Sequence, residues 1–142
     1  MRTAIKISTI MLALLAGFFF QHFFASTEHS RPTLAKDKYC MLSTAPCTQH
    51  DVTMSLNSNT PHPLMPVLLT VEWPATTSSS LLLELTGLEM EMGKPVFQLK
   101  QLRPGVFQGE VIMPACTSSS MTWLGELSDG TQTVYPAIRT TR

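Results

Sequence analysis

Sulfur is the element with which this sequence has most scope for chemistry. Three cysteines, Cys40, Cys47 and Cys116, and nine methionines occur among 142 residues. A thioether is a soft ligand that needs no deprotonation and survives oxidation better than a thiol, so exported chains can use methionine to hold Cu(I). Met90 and Met92 stand two residues apart in GLEMEMGKP. In extended backbone, residues i and i+2 point the same way, which would put both sulfurs on one side of the chain. Gly87 and Gly93 flank the pair and let the chain bend. Cu(I) generally wants a third ligand, for which His62, Met65, Cys116 and Met121 are the candidates.

The same sulfurs also have a purely structural use. Met54, Met113 and Met121 fall in phase with the buried faces of predicted strands, where methionine fills a core. Cys40 and Cys47 lie close together in CMLSTAPC, with Pro46 helping the chain turn, so a local disulfide worth roughly 2–3 kcal/mol by loop entropy is one pairing. Cys116 bonded to either of them is the alternative, and spacing does not choose. Whichever cysteine remains is a structural thiol, a metal ligand or a reactive group.

Other chemistries find less support. His22, His29, His50 and His62 form no H-x-x-x-H pattern, and no C-x-x-C accompanies them, so a zinc site is not indicated. There is no G-x-S-x-G and no glycine-rich phosphate loop. Glu84, Glu89, Glu91, Glu110 and Glu126 show no spacing that singles out an acid/base pair. Cys116 with His50 or His62 would make a nucleophile and base, but nothing in the spacing joins them. The expectation is a protein that is not an enzyme. Ten basic residues balance ten acidic ones and are dispersed along the chain, which argues against a nucleic-acid partner.

The elements that must position these sulfurs begin with an apolar run. Arg2 and Lys6 precede ISTIMLALLAGFFFQHFF, residues 7–24, which as a helix would reach ~27 Å and so span a bilayer in contact with membrane lipid. The leading positive charges place the N-terminus in the cytoplasm and the rest of the chain outside. A cleaved signal peptide competes, but with Ala25 at −1 the bulky Phe23 would occupy −3. The chain therefore reads as an N-terminal membrane anchor over residues 1–25, a linker over 26–38, and one exported domain over 39–142. That is a single-pass inner-membrane protein with its C-terminal domain in the periplasm.

Within that domain, apolar residues recur with period two between Pro, Gly, Asn and Ser clusters, the pattern of antiparallel strands with one buried face. Strands are predicted around Val52 to Leu56, Val67 to Trp73, Leu81 to Leu85, Phe97 to Leu99, Phe107 to Met113, Met121 to Leu127, and Thr131 to Ile138. Pro104-Gly105 suits a type II turn and Asp129-Gly130 a tight hairpin. About seven strands in a domain of this size predict an all-β, immunoglobulin-like antiparallel β-sandwich. Loops at one end of a sandwich cluster, so Met90, Met92, Cys116 and Met121 are expected to meet at one pole.

The stretch LTGLEMEMGKPVFQLKQLRPGVFQGEVIMPACTSSSMTWLGEL resembles small exported proteins of the FixH and YtkA type, which join one N-terminal membrane segment to an immunoglobulin-like domain. The matching positions are Met90, Met92, Gly93, Gly105, Phe107 and Trp123. Pro114, Cys116, Met121 and Trp123 also match proteobacterial envelope proteins with a cysteine-bearing P-x-C ahead of a methionine and a tryptophan. The resemblance implies copper supply and assembly of haem–copper oxidases, with an oxidase subunit or a copper chaperone as partner. The chain departs from the pattern in having three cysteines and no histidine-rich segment. Independently of copper, the same domain would serve as a structural or adaptor module that binds an envelope protein.

Overall fold

The computed structural model describes residues 38–142. The expected anchor, and the linker up to residue 37, lie outside the described residues. Among the described residues no helix is long and apolar enough to cross a membrane.

The domain is all-β. Its strands are β1 (Cys40–Met41), β2 (Cys47–Gln49), β3 (Val52–Leu56), β4 (Pro66–Glu72), β5 (Ser80–Gly87), β6 (Val96–Arg103), β7 (Val106–Ile112), β8 (Ser120–Ser128), β9 (Thr133–Val134) and β10 (Pro136–Thr141). Those with five or more residues are β3 to β8 and β10; β3 to β8 fall on the first six strands expected from the alternation, and β10 only overlaps the end of the seventh. They join in one sheet ordered β1-β10-β8-β5-β6-β7-β4-β3-β2, with β9 as an extra partner of β8.

The period-two pattern decides which side chains face inward. Val52, Met54 and Leu56 of β3, Val67, Leu69 and Val71 of β4, and Leu81, Leu83 and Leu85 of β5 are buried together with Phe107, Trp123 and Leu127. β6 behaves differently, because only Leu99 is fully buried and Phe97 packs partly against the core. Residues Val96 to Lys100 of β6 pair with β5, whereas Lys100, Gln101 and Arg103 pair with β7. The strand thus passes from one group of strands to the other and has little inward face to fill.

The Pro104-Gly105 turn is present, with Gly105 at φ +72°. A type II turn does not match the twist of a two-residue hairpin. The register shift between Gln101 and Arg103 accommodates it, as a bulge increases local twist. At the other predicted hairpin, four residues separate Ser128 from Thr133, and the expected last strand breaks at Tyr135 into β9 and β10. β9 pairs with Leu127 and Ser128, while β10 pairs with residues 120–124 of the same strand and with β1.

The two ends of the sheet face each other across a seam. Cys40 of β1 and Cys47 of β2 are disulfide-bonded, with Cα atoms 6.0 Å apart. The Gln49 side chain accepts the Tyr135 N–H at 2.8 Å and donates to the Lys38 carbonyl at 2.6 Å, doing with a side chain what a ladder rung does with backbone. Leu56 N–H donates to the Ser43 carbonyl. The sheet is therefore nearly closed and offers little free edge.

Candidate functional site

Antiparallel alternation sends three connections to one end of the domain: residues 57–65 between β3 and β4, 88–95 between β5 and β6, and 113–119 between β7 and β8. Hydrogen bonds knit this end. Leu64 N–H donates to the Met113 carbonyl at 2.9 Å, Thr141 N–H to the Pro61 carbonyl at 3.1 Å, and Arg142 N–H to the Ser119 carbonyl at 3.0 Å. His62 Nδ1 lies 2.8 Å from the Thr141 carbonyl oxygen. Leu88 N–H donates to the Thr122 carbonyl at 2.9 Å, which ties the connection of residues 88–95 to the start of β8. This methionine pole is at the end of β10; Lys38 and Tyr39, where the described chain begins, lie by Tyr135 at that strand's start.

Each predicted donor has a distinct environment. Met90 is exposed, whereas Met92 is half-buried and packs against the core. The chain bends through Leu88, Glu89 and Met90, just ahead of Met92. Met121 is buried on β8, as its strand phase predicts, and Met113 is buried where β7 ends. Met65 is exposed in the first connection. The sulfur pairing left open by spacing is Cys40 with Cys47, so Cys116 is the free thiol. It is buried, and its Sγ lies 3.7 Å from the Ser118 carbonyl oxygen.

Met90 and Met121 come together at Gly87. A side-chain carbon at Gly87 would collide with the Met121 terminal methyl and with the Met90 carbonyl oxygen. Gly87 pairs with Trp123, and its bare α-carbon is the surface against which both methionines' atoms rest. The sequence suggested chain bending at this glycine; close approach is the requirement the tertiary structure adds.

Beside them lies a polar cluster that no spacing in the sequence indicated. Glu89 accepts the Thr122 N–H at 2.7 Å and the Thr122 hydroxyl at 2.8 Å. Arg139 donates to the Thr122 hydroxyl at 3.2 Å and to the Ser120 hydroxyl at 3.0 Å. Partial burial pushes the Glu89 carboxyl up, but the Thr122 hydrogen bonds and the Arg139 charge outweigh it and hold the carboxyl below its ordinary range.

Among the described residues no three His, Cys, Asp or Glu side chains gather as a metal group. No family model, no curated protein and no solved structure matches this chain.

Proposed function

We propose that this chain is a non-enzymatic, membrane-anchored periplasmic accessory protein that holds Cu(I) at the methionine pole and assists assembly of a respiratory oxidase. The observation that carries this proposal is the gathering of segments bearing Met65, Met90, Met92 and Cys116 at one end of the domain, where Cys116 is a thiol because Cys40 and Cys47 are bonded to each other. Thioether and thiolate donors together favour Cu(I). The resemblance of residues 85–127 to FixH- and YtkA-type proteins points the same way and suggests an oxidase subunit or a copper chaperone as partner. The apolar run at residues 7–24 supports the anchor and the inner-membrane location.

An immunoglobulin-like sandwich is the architecture we propose for the sheet. With the seven long strands lettered A to G in chain order, the hydrogen-bonded path runs A-B-E-D-C-F-G, which divides into the ABED and CFG layers of that fold.

The deciding experiment is a Cu(I) titration of the domain against a competing chelator, for wild type and for the double variant Met90→Leu, Met92→Leu. One tight equivalent in wild type, weakened at least tenfold in the variant, is the expected result. Absence of tight binding, or equal affinity in both proteins, would refute the copper assignment.

An adaptor role is favoured by a different observation at the same end. Leu64 and Met65 are 66% and 60% exposed, and Ile112 beside Pro66 is 44% exposed. Leu64 also holds φ +62°, a costly conformation for a bulky residue that is often tied to binding. Retention of a copper-independent envelope partner, lost in Leu64→Asp with Met65→Ser, would support this role instead.

A further inference from the structure

We infer that Glu89 is the positioning residue of the methionine pole, holding the turn that carries Met90 against Met121. The inference rests on the soft-metal proposal for its consequence, though the clamp itself stands on geometry alone. β5 ends at Gly87, opposite Trp123, and one further backbone bond follows, from Leu88 N–H to the Thr122 carbonyl. Here Glu89 supplies a side-chain acceptor to the Thr122 N–H, and its second oxygen takes the Thr122 hydroxyl. Thr122 is itself 5% exposed, so losing Glu89 would leave a nearly buried N–H and hydroxyl short of an acceptor.

The clamp acts one residue away from the donor. With Glu89 fixed on β8 and Gly87 fixed in the ladder, the Met90 carbonyl is carried back over the Gly87 α-carbon, where the Met121 methyl also rests. Two independent constraints thus set where Met90 stands relative to Met121: the carboxylate on one side and the missing side chain on the other. Arg139 reinforces the first by holding the Thr122 and Ser120 hydroxyls from β10. Groups that fix the direction of a metal ligand without touching the metal commonly change metal affinity by about 10–100-fold.

Three proteins test this: wild type, Glu89→Ala and Glu89→Gln, the last keeping an oxygen acceptor of the same reach. Methyl-labelled methionine NMR reads, without any metal, the nuclear Overhauser contact between the Met121 methyl and the Met90 backbone, which meet over Gly87. Amide exchange at Leu88 and Thr122 reads the clamp. Cu(I) titration reads the consequence. Glu89→Ala is expected to lose the methyl contact, exchange both amides at least tenfold faster, and bind Cu(I) about tenfold more weakly, with Glu89→Gln close to wild type in all three.

An unchanged methyl contact and unchanged exchange in Glu89→Ala would overturn the inference whatever the copper result. A released turn with undiminished Cu(I) affinity would overturn its consequence for the metal while leaving the copper assignment standing. If wild type binds no Cu(I), that assignment fails, and the methyl contact and exchange still decide whether Glu89 holds the turn. A melting curve for each variant separates local release from global loss of stability.

Discussion

Cys40 and Cys47 are seven residues apart in the chain, yet their disulfide joins the two ends of the hydrogen-bonded path through the whole sheet. β1 extends one end through β10, and β2 extends the other through β3. The bond therefore closes a small loop in sequence and a large structure in space.

Loop entropy alone makes the bond worth roughly 2–3 kcal/mol. Replacing both cysteines by serine should lower the melting temperature by about 10–20 °C, since each kcal/mol moves a domain of this size by about 4–8 °C. Calorimetry of the oxidised wild type and the double variant makes the comparison. A shift of only a degree or two would mean that Gln49 and the Leu56–Ser43 bond hold the seam without it.

The same pairing sets a thiol count. Unfolded in denaturant without reductant, the chain should release one equivalent of reactive thiol, from Cys116. Folded, that thiol is 7% exposed and should react far more slowly, because a buried sulfur is screened from reagent. Three equivalents, or none, would contradict the disulfide assignment.

Asp129 organises the loop between β8 and β9. One carboxylate oxygen accepts the Thr131 N–H, the Thr131 hydroxyl and the Gln132 N–H, and the other accepts the Thr76 hydroxyl at 2.7 Å. Burial pushes this carboxyl up, but those hydrogen bonds outweigh it and hold it well below the usual aspartate range. Because the folded-state value is depressed, the stabilisation is fully present above the unfolded value near pH 4 and is lost as pH falls below it. Asp129→Asn should flatten the acid limb of the stability curve between about pH 4 and pH 2, measured by urea unfolding at each pH. An acid limb identical in the variant would place the acid sensitivity elsewhere.

Gly105 is required by the turn between β6 and β7. It holds φ +72°, and a side-chain carbon there would stand 3.1 Å from the Pro74 Cα. Gly105→Ala should cost about 1–2 kcal/mol from the left-handed backbone alone. Its signature is a lower urea midpoint with an unchanged slope, since the surface exposed on unfolding stays the same. A midpoint equal to wild type would show that this turn relaxes into another form.

Much of the fold is legible along the chain because strand burial is a local property. Val52, Met54 and Leu56, or Val67, Leu69 and Val71, declare their inward face by alternation, and Pro104-Gly105 declares its turn by the conformations those two residues favour. Pairing of distant segments is not local. Pro136 is a local sign of a break in residues 131–138, but the partners of the two pieces are not local, because they follow from two successive pairings along β8 and from β1 lying beside β10.

The candidate site divides in the same way. Residue type and spacing pointed to Met90, Met92, Cys116 and Met121, but spacing did not indicate that Met90 and Met92 would have different environments. A carboxylate at Glu89 reaches Thr122, 33 residues away, where the chain bends and leaves one methionine exposed and the other against the core. The choice among disulfides was likewise out of reach of spacing, since it depends on β1 and β2 meeting at the seam. By itself the sequence determined the alternation, the turns and the inventory of sulfur. The tertiary structure alone decided which sulfurs are bonded, buried or exposed, because those outcomes depend on contacts between residues that only folding brings within a few ångströms.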